Sequence, residues 1–178
     1  MKCAMKRFDR KVLRGYAASA VVLLAVLAWP SEGWSKTSKD ACVIGRLNGW
    51  ARALANSTPN NPTPIVNTYA REEREPLAAV LMPTCAKGTW IGHAAITKYF
   101  QEKFLKYEPR AEIKTNDAKI VGNCNLGSAS GLYTFKLKVG NETKTLQARY
   151  TFVFRDGKIA QHHSSLEPEI PDNACPSH

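Results

Sequence analysis

The sequence predicts an α+β domain: three helices lie toward its start and pack on a curved, mainly antiparallel sheet. Three observations carry this. Up to Tyr107, apolar residues recur at helical spacing. After Pro109 the period drops to two, as in Tyr133, Phe135 and Leu137. The pair Asp156-Gly157 then separates two alternating segments, the composition of a tight hairpin turn.

The elements follow in order. Asp40 reads as an N-cap, and Val43, Leu47, Trp50 and Leu54 form one apolar stripe to about Ala55. The turn-rich stretch Asn56-Ser57-Thr58-Pro59-Asn60-Asn61-Pro62 breaks that helix. Thr63-Pro64 opens a second helix, with Pro at its first position and Ile65, Val66 and Tyr69 on its apolar face. Residues 78–82 read as a short strand closed by Pro83, and residues 89–91 as its partner. A third helix is expected over 93–107, burying Ile96, Tyr99, Phe100, Phe104 and Tyr107. Four strands follow: 112–121 with a bulge near Asn116-Asp117, 131–139, 145–155 and 158–165. Gly140-Asn141 turns the second into the third. Residues 167–178 form a proline-containing tail. A sheet of this kind curls around its helices and leaves a cone-shaped pocket.

The chain of 178 residues divides into a targeting segment, 1–35, and one domain, 36–178. Residues 2–14 are basic, residues 17–29 are small or apolar, and Pro30 ends the run. That order is the pattern of a secretory signal. The apolar run is shorter than the roughly 20 residues needed to span a bilayer. Cleavage is expected near Gly33 or Ser35, and an uncleaved anchor is the alternative. The protein is therefore expected to be periplasmic or secreted, without membrane association after cleavage. The formal charge of +10 falls to about +6 without the first 35 residues. The remaining Lys and Arg form no dense stripe, so nucleic acid is not an expected partner.

Export changes the meaning of the cysteines. Cys3 leaves with the signal, and Cys42, Cys85, Cys124 and Cys175 remain for an oxidising compartment. Spacing alone leaves three pairings open, along with one disulfide plus two buried thiols. There is no CxxC pair, so no metal is expected, and no cofactor motif is present.

Several segments together resemble a known family. They are Ala148-Arg149-Tyr150-Thr151-Phe152-Val153-Phe154, Asp156-Gly157-Lys158, His162-His163-Ser164-Ser165 and Pro168-Glu169. Val80-Leu81-Met82-Pro83-Thr84 and Ser130-Gly131-Leu132-Tyr133-Thr134-Phe135 agree in order and spacing. From Cys42 to Glu169 the chain looks like a bacterial NTF2-like (SnoaL-like) domain. It is similar to the branch that includes the association domain of calcium/calmodulin-dependent protein kinase II. The resemblance implies an NTF2-like cone and a homodimer or larger assembly. It also implies a disulfide between Cys42 and Cys124, positions where bacterial members often carry cysteine, which leaves Cys85 with Cys175. In the kinase domain the arginine matching Arg149 lines a carboxylate pocket, while its second arginine falls at Ser164 here and its helix histidine near Thr97. The family hosts isomerases, dehydratases, binding modules and assembly hubs, so the fold does not determine function.

The candidate site follows from these residues. His162 and His163 are the candidate acid/base groups. Being adjacent on a strand, they point to opposite faces, His162 with Ser164 and His163 with Ser165. One is expected in the cone or as a hydrogen-bonded structural histidine, the other in solvent or at an interface. Arg149, Ser164, Tyr133, Trp50 and Tyr69 are the candidate ligand-pocket residues. Arg149 is read either as a receptor for an anion or as half of a salt bridge with Glu72 or Glu112. Arg71-Glu72-Glu73-Arg74-Glu75 is read as a solvated charged face. The expected function is binding of a small anionic or amphipathic ligand by an exported homodimer. The alternatives are an isomerase- or dehydratase-like enzyme using a pocket histidine, or an oligomerisation module assembled through an exposed Tyr150, Phe152 and Phe154 face.

Overall fold

A computed structural model describes residues 38–166. The signal-like segment, Cys175 and the tail lie outside the described residues. The elements are α1 (Ser38–Ala55), α2 (Thr63–Val66), β1 (Val80–Met82), β2 (Trp90–Ile91), α3 (His93–Tyr99), β3 (Arg110–Ile113), β4 (Lys119–Gly122), β5 (Leu126–Val139), β6 (Glu142–Arg155) and β7 (Lys158–Leu166).

The seven strands form one sheet in the order β2-β1-β7-β6-β5-β3, with β4 also paired to β5. Every pairing is antiparallel except β1 with β7, which sets Leu81 beside His162 and Met82 beside His163. That long-range parallel pairing brings the start of the domain to its last strand. The antiparallel arms β5, β6 and β7 are joined by the two expected turns. At the second, Asp156 and Gly157 adopt φ of 51° and 72°, the left-handed region that favours Asp and Gly.

The helical stripe of α1 is buried as spaced: Val43, Leu47, Trp50 and Leu54 are all within the core. They pack against β3, β4 and β5. Tyr133, Phe135 and Leu137 face them from β5, and Ala148, Tyr150, Phe152 and Phe154 from β6. The aromatic face of β6 is therefore the inner face and not an exposed one. Burying rings of this size stabilises by roughly 2–3 kcal/mol each, more than an outward placement could recover.

Other expectations are corrected. The helix at Thr63-Pro64 makes a single turn, because Tyr69 leaves it to bridge Ile159, and the Ala70 amide donates to the Ile159 carbonyl at 2.9 Å. The third helix is α-helical only to Tyr99. It continues as a wider π-turn at Phe100–Phe104 and a 3-10 turn at Leu105–Tyr107. It stops at Glu108, whose φ of 44° precedes Pro109. The single strand expected over 112–121 is two strands, β3 and β4, both on β5. Between them Asn116-Asp117 form a turn, with the Asp117 amide donating to the Lys114 carbonyl at 3.3 Å, rather than a bulge.

Cys42 and Cys124 are joined, with Cα atoms 6.0 Å apart. The bond ties α1 to the turn between β4 and β5. Cys85 is exposed and unbonded within the described residues. Its expected partner, Cys175, lies outside them.

Candidate functional site

The site begins with the inner face of β7. Alternation along this strand buries His162 and Ser164 and leaves His163 exposed. Phe152 lies directly opposite His162 across the β6–β7 ladder, and the two rings stack at 4.1 Å. Trp50 meets the imidazole edge-on from α1 at 5.3 Å.

A continuous hydrogen-bonded chain runs through this imidazole. Trp50 Nε1 donates to Tyr69 Oη at 3.2 Å. The Tyr69 hydroxyl donates in turn to His162 Nδ1 at 2.8 Å. His162 Nε2 then faces Tyr133 Oη at 3.4 Å, and the Tyr133 hydroxyl donates to Ser164 Oγ. Ser164 reaches Thr84 Oγ1 in the loop after β1. The single Tyr133 hydroxyl proton goes to Ser164, so Tyr133 accepts from His162 Nε2–H, and Nδ1 is left to accept from Tyr69.

Electrostatics agree with that neutral form. Burial, with a smaller contribution from neighbouring His163, lowers the His162 pKa from 6.5 to about 3. Burial raises the Tyr69 and Tyr133 hydroxyls well above the ordinary tyrosine value. At neutral pH every group in the chain is uncharged.

The chain lines a cavity of about 20 Å³, room for roughly one water. Its walls include the buried rings of Trp50, Tyr99, Phe100, Phe104, Tyr133 and Phe135, while Pro83, Thr84 and Cys85 are the lining residues that reach solvent. Partial burial raises the Cys85 thiol. No carboxylate and no cation lines this cavity among the described residues. The site holds a neutral hydrogen-bonding group.

The structure thus brings together Trp50, Tyr69, Tyr133, His162 and Ser164. It does not bring Arg149 or His163 with them. Arg149 lies opposite Ser165 on the exposed side of the sheet, and its guanidinium approaches the Leu166 carbonyl at 3.5 Å. The inward positions of β6 are taken by Ala148 and Tyr150, so the residue between them must point outward. Neither acid suggested for it is its partner. Glu72 pairs instead with Arg155 at 3.8 Å. Within the charged run, Glu73 has a further role: both of its carboxylate oxygens accept the Ala94 amide, at 3.2 and 3.3 Å, and so cap α3. Thr84 and Cys85 were not among the expected pocket residues. Thr84 entered only as the end of the Val80-Leu81-Met82-Pro83-Thr84 segment and Cys85 only as a disulfide candidate, and β1–β7 pairing is what carries them to the end of the polar chain.

No family model matches the chain, and no curated protein matches it. Solved structures do. An NTF2-like superfamily protein from Salmonella enterica matches at a TM-score of 0.58 and 10% identity, over 80% of this chain and all of that one. An NTF2-like family protein from Streptomyces avermitilis matches at 0.60 and 10%, over 73% of this chain and 97% of that one. A Mycobacterium tuberculosis protein matches at 0.55 and 10%, over 74% and 94%. Identity this low speaks to architecture alone. The helices, the sheet order and these matches lead to one conclusion: the chain carries the NTF2-like fold.

Proposed function

We propose that this chain is an exported NTF2-like domain that works as a homodimer and binds a small amphipathic ligand without transforming it. The observation that carries the reading is the composition of the cavity: a neutral hydrogen-bonded chain through His162, with no carboxylate beside it among the described residues. A base whose conjugate acid has a pKa of about 3 abstracts protons poorly at neutral pH, which counts against the isomerase or dehydratase alternative. An anion inside the cone would meet no cation there, so the ligand's polar end is neutral. With room for about one water, the cavity admits a single hydroxyl or carbonyl reaching Ser164, and the rest of the ligand sits in the mouth at Pro83, Thr84 and Cys85. The Cys42–Cys124 bond supports an oxidising compartment. The hub-like sequence pattern supports a homodimer, with Arg149 and His163 on the outer sheet face as contact residues.

The filled cone also favours a second reading, an assembly module with no ligand. Native mass spectrometry of protein purified from the cells that export it separates the two. The binding reading expects a dimer of chains lacking about the first 35 residues, with a small mass that collisional activation removes and that Ser164→Ala lacks. A ligand-free dimer in every preparation supports the assembly module instead. A ligand-free monomer overturns both.

A further inference from the structure

A second concavity opens beside α1. It measures about 290 Å³ and is lined by Gly45, Arg46, Gly49 and Arg52 of α1, by Asn67 and Thr68, and by Gly157 and Lys158 at the β6–β7 turn. Trp50, which also lines the cone, forms its buried base with Phe154 and Ile159. We propose that this groove is a binding site for a small free anion bearing a phosphate or carboxylate group.

Three cations converge on it. Arg46, Arg52 and Lys158 all line the groove and all are exposed. Among the described residues no acid forms a salt bridge with any of them, including Asp156, the carboxylate adjoining Gly157 in the turn. Lys158 is held in place: its ammonium donates to the Asn67 carbonyl at 2.7 Å, which leaves two of its three donors for a ligand. Arg46 is placed by close approach to the turn. A Cβ on Gly157 would come within 2.8 Å of Arg46 Nη2, so the glycine makes room for the guanidinium to lie over the hairpin. An arginine fork beside a fixed lysine suits the oxygens of a phosphate or carboxylate.

The helix glycines give the groove its depth. Gly45 and Gly49 lie inside α1, where glycine weakens a helix relative to alanine. Packing does not require them, since a Cβ at either position would meet nothing within 4 Å. Gly45, Gly49 and Arg52 recur along one helix face, and side chains at the first two positions would occupy the space that the arginines border. The volume is near the lower end of ligand pockets, roughly 300–1,000 Å³, so the fitting ligand is small.

Titration calorimetry of the purified protein with inorganic phosphate and with citrate, at low ionic strength, tests this. Saturable one-site binding of at least one of them is expected. Arg46→Gln or Arg52→Gln should weaken it about tenfold, the loss of one charge-assisted hydrogen bond. Lys144→Gln, which removes an equal charge from an exposed position outside the groove, should change it less than twofold. Gly49→Ala should narrow the groove and weaken binding while leaving the thermal midpoint equal or higher, which separates a filled site from a damaged fold. Absence of binding by both anions overturns the proposal. So does equal weakening by Lys144→Gln, or binding only to phosphatidylglycerol vesicles with no response to either free anion.

Discussion

At the scale of single residues, His162 shows how burying a titratable group couples its protonation to folding. Its imidazole accepts from Tyr69, stacks on Phe152 and stays neutral because burial opposes charge. The consequence for stability has a definite sign. In the unfolded chain the imidazole binds a proton below about pH 6.5, whereas in the folded chain it does so only below about 3. Between those values the unfolded state holds the extra proton, so stability falls as the pH is lowered through that window. The slope from this one group is on the order of 1.4 kcal/mol per pH unit. Urea midpoints measured between pH 7 and pH 4 should show that decline. His162→Gln should flatten it even though the variant is less stable at pH 7, and His163→Gln should retain it. An unchanged slope in His162→Gln would place the sensitivity elsewhere. The opposite faces of His162 and His163 were legible from strand alternation alone. Which one turned inward was not, because adjacent residues in a strand are equivalent until a core claims one side.

Among the elements, α3 is where local sequence and tertiary context meet. Its residue before the first turn is Gly92, whose φ of 85° suits glycine and which has no side chain to cap the helix. Glu73 supplies the acceptor from 21 positions earlier. Glu73→Ala should therefore cost about 1 kcal/mol, the usual loss of a helix cap, read as a lower urea midpoint. Glu75→Ala, in the same charged run, should leave the midpoint within about 0.5 kcal/mol. Composition alone made this run look like a solvated face. A carboxylate acting as a cap across 21 residues leaves no periodic trace. The division of the 112–121 segment into β3 and β4 has a similar cause. Both halves carry strand-forming residues, and only their separate pairings to β5 show that Asn116-Asp117 is a turn.

For the whole molecule, the disulfide and the parallel β1–β7 pairing close the chain on itself. The Cys42–Cys124 bond links positions 82 residues apart. Closing a loop of that length constrains the unfolded chain by about 4 kcal/mol in the entropic model. Cys42→Ser should lower stability by an amount of that order, seen as a lower denaturation midpoint. The Cys42→Ser/Cys124→Ser double variant should lower it no further. An additional loss in the double variant would mean that the two sulfurs act separately.

The α+β class, the long antiparallel arms, the two hairpin turns, the buried stripe of α1 and the face that His162 shares with Ser164 are all legible along the chain. Each of these rests on local periodicity or turn chemistry, which neighbouring residues reveal. The Cys42–Cys124 bond was implied by resemblance and is present in the structure. Which side of β6 faces inward, and with it the placement of Arg149 on the outer face, depends on long-range packing. Both sides of that strand offer bulky residues, and α1 can cover only one. Tertiary structure also decided that the cone is filled, because packing density depends on how side chains from α1, β5, β6 and β7 interlock. It alone created the basic groove, where Arg46, Arg52 and Lys158 meet across more than a hundred residues of chain.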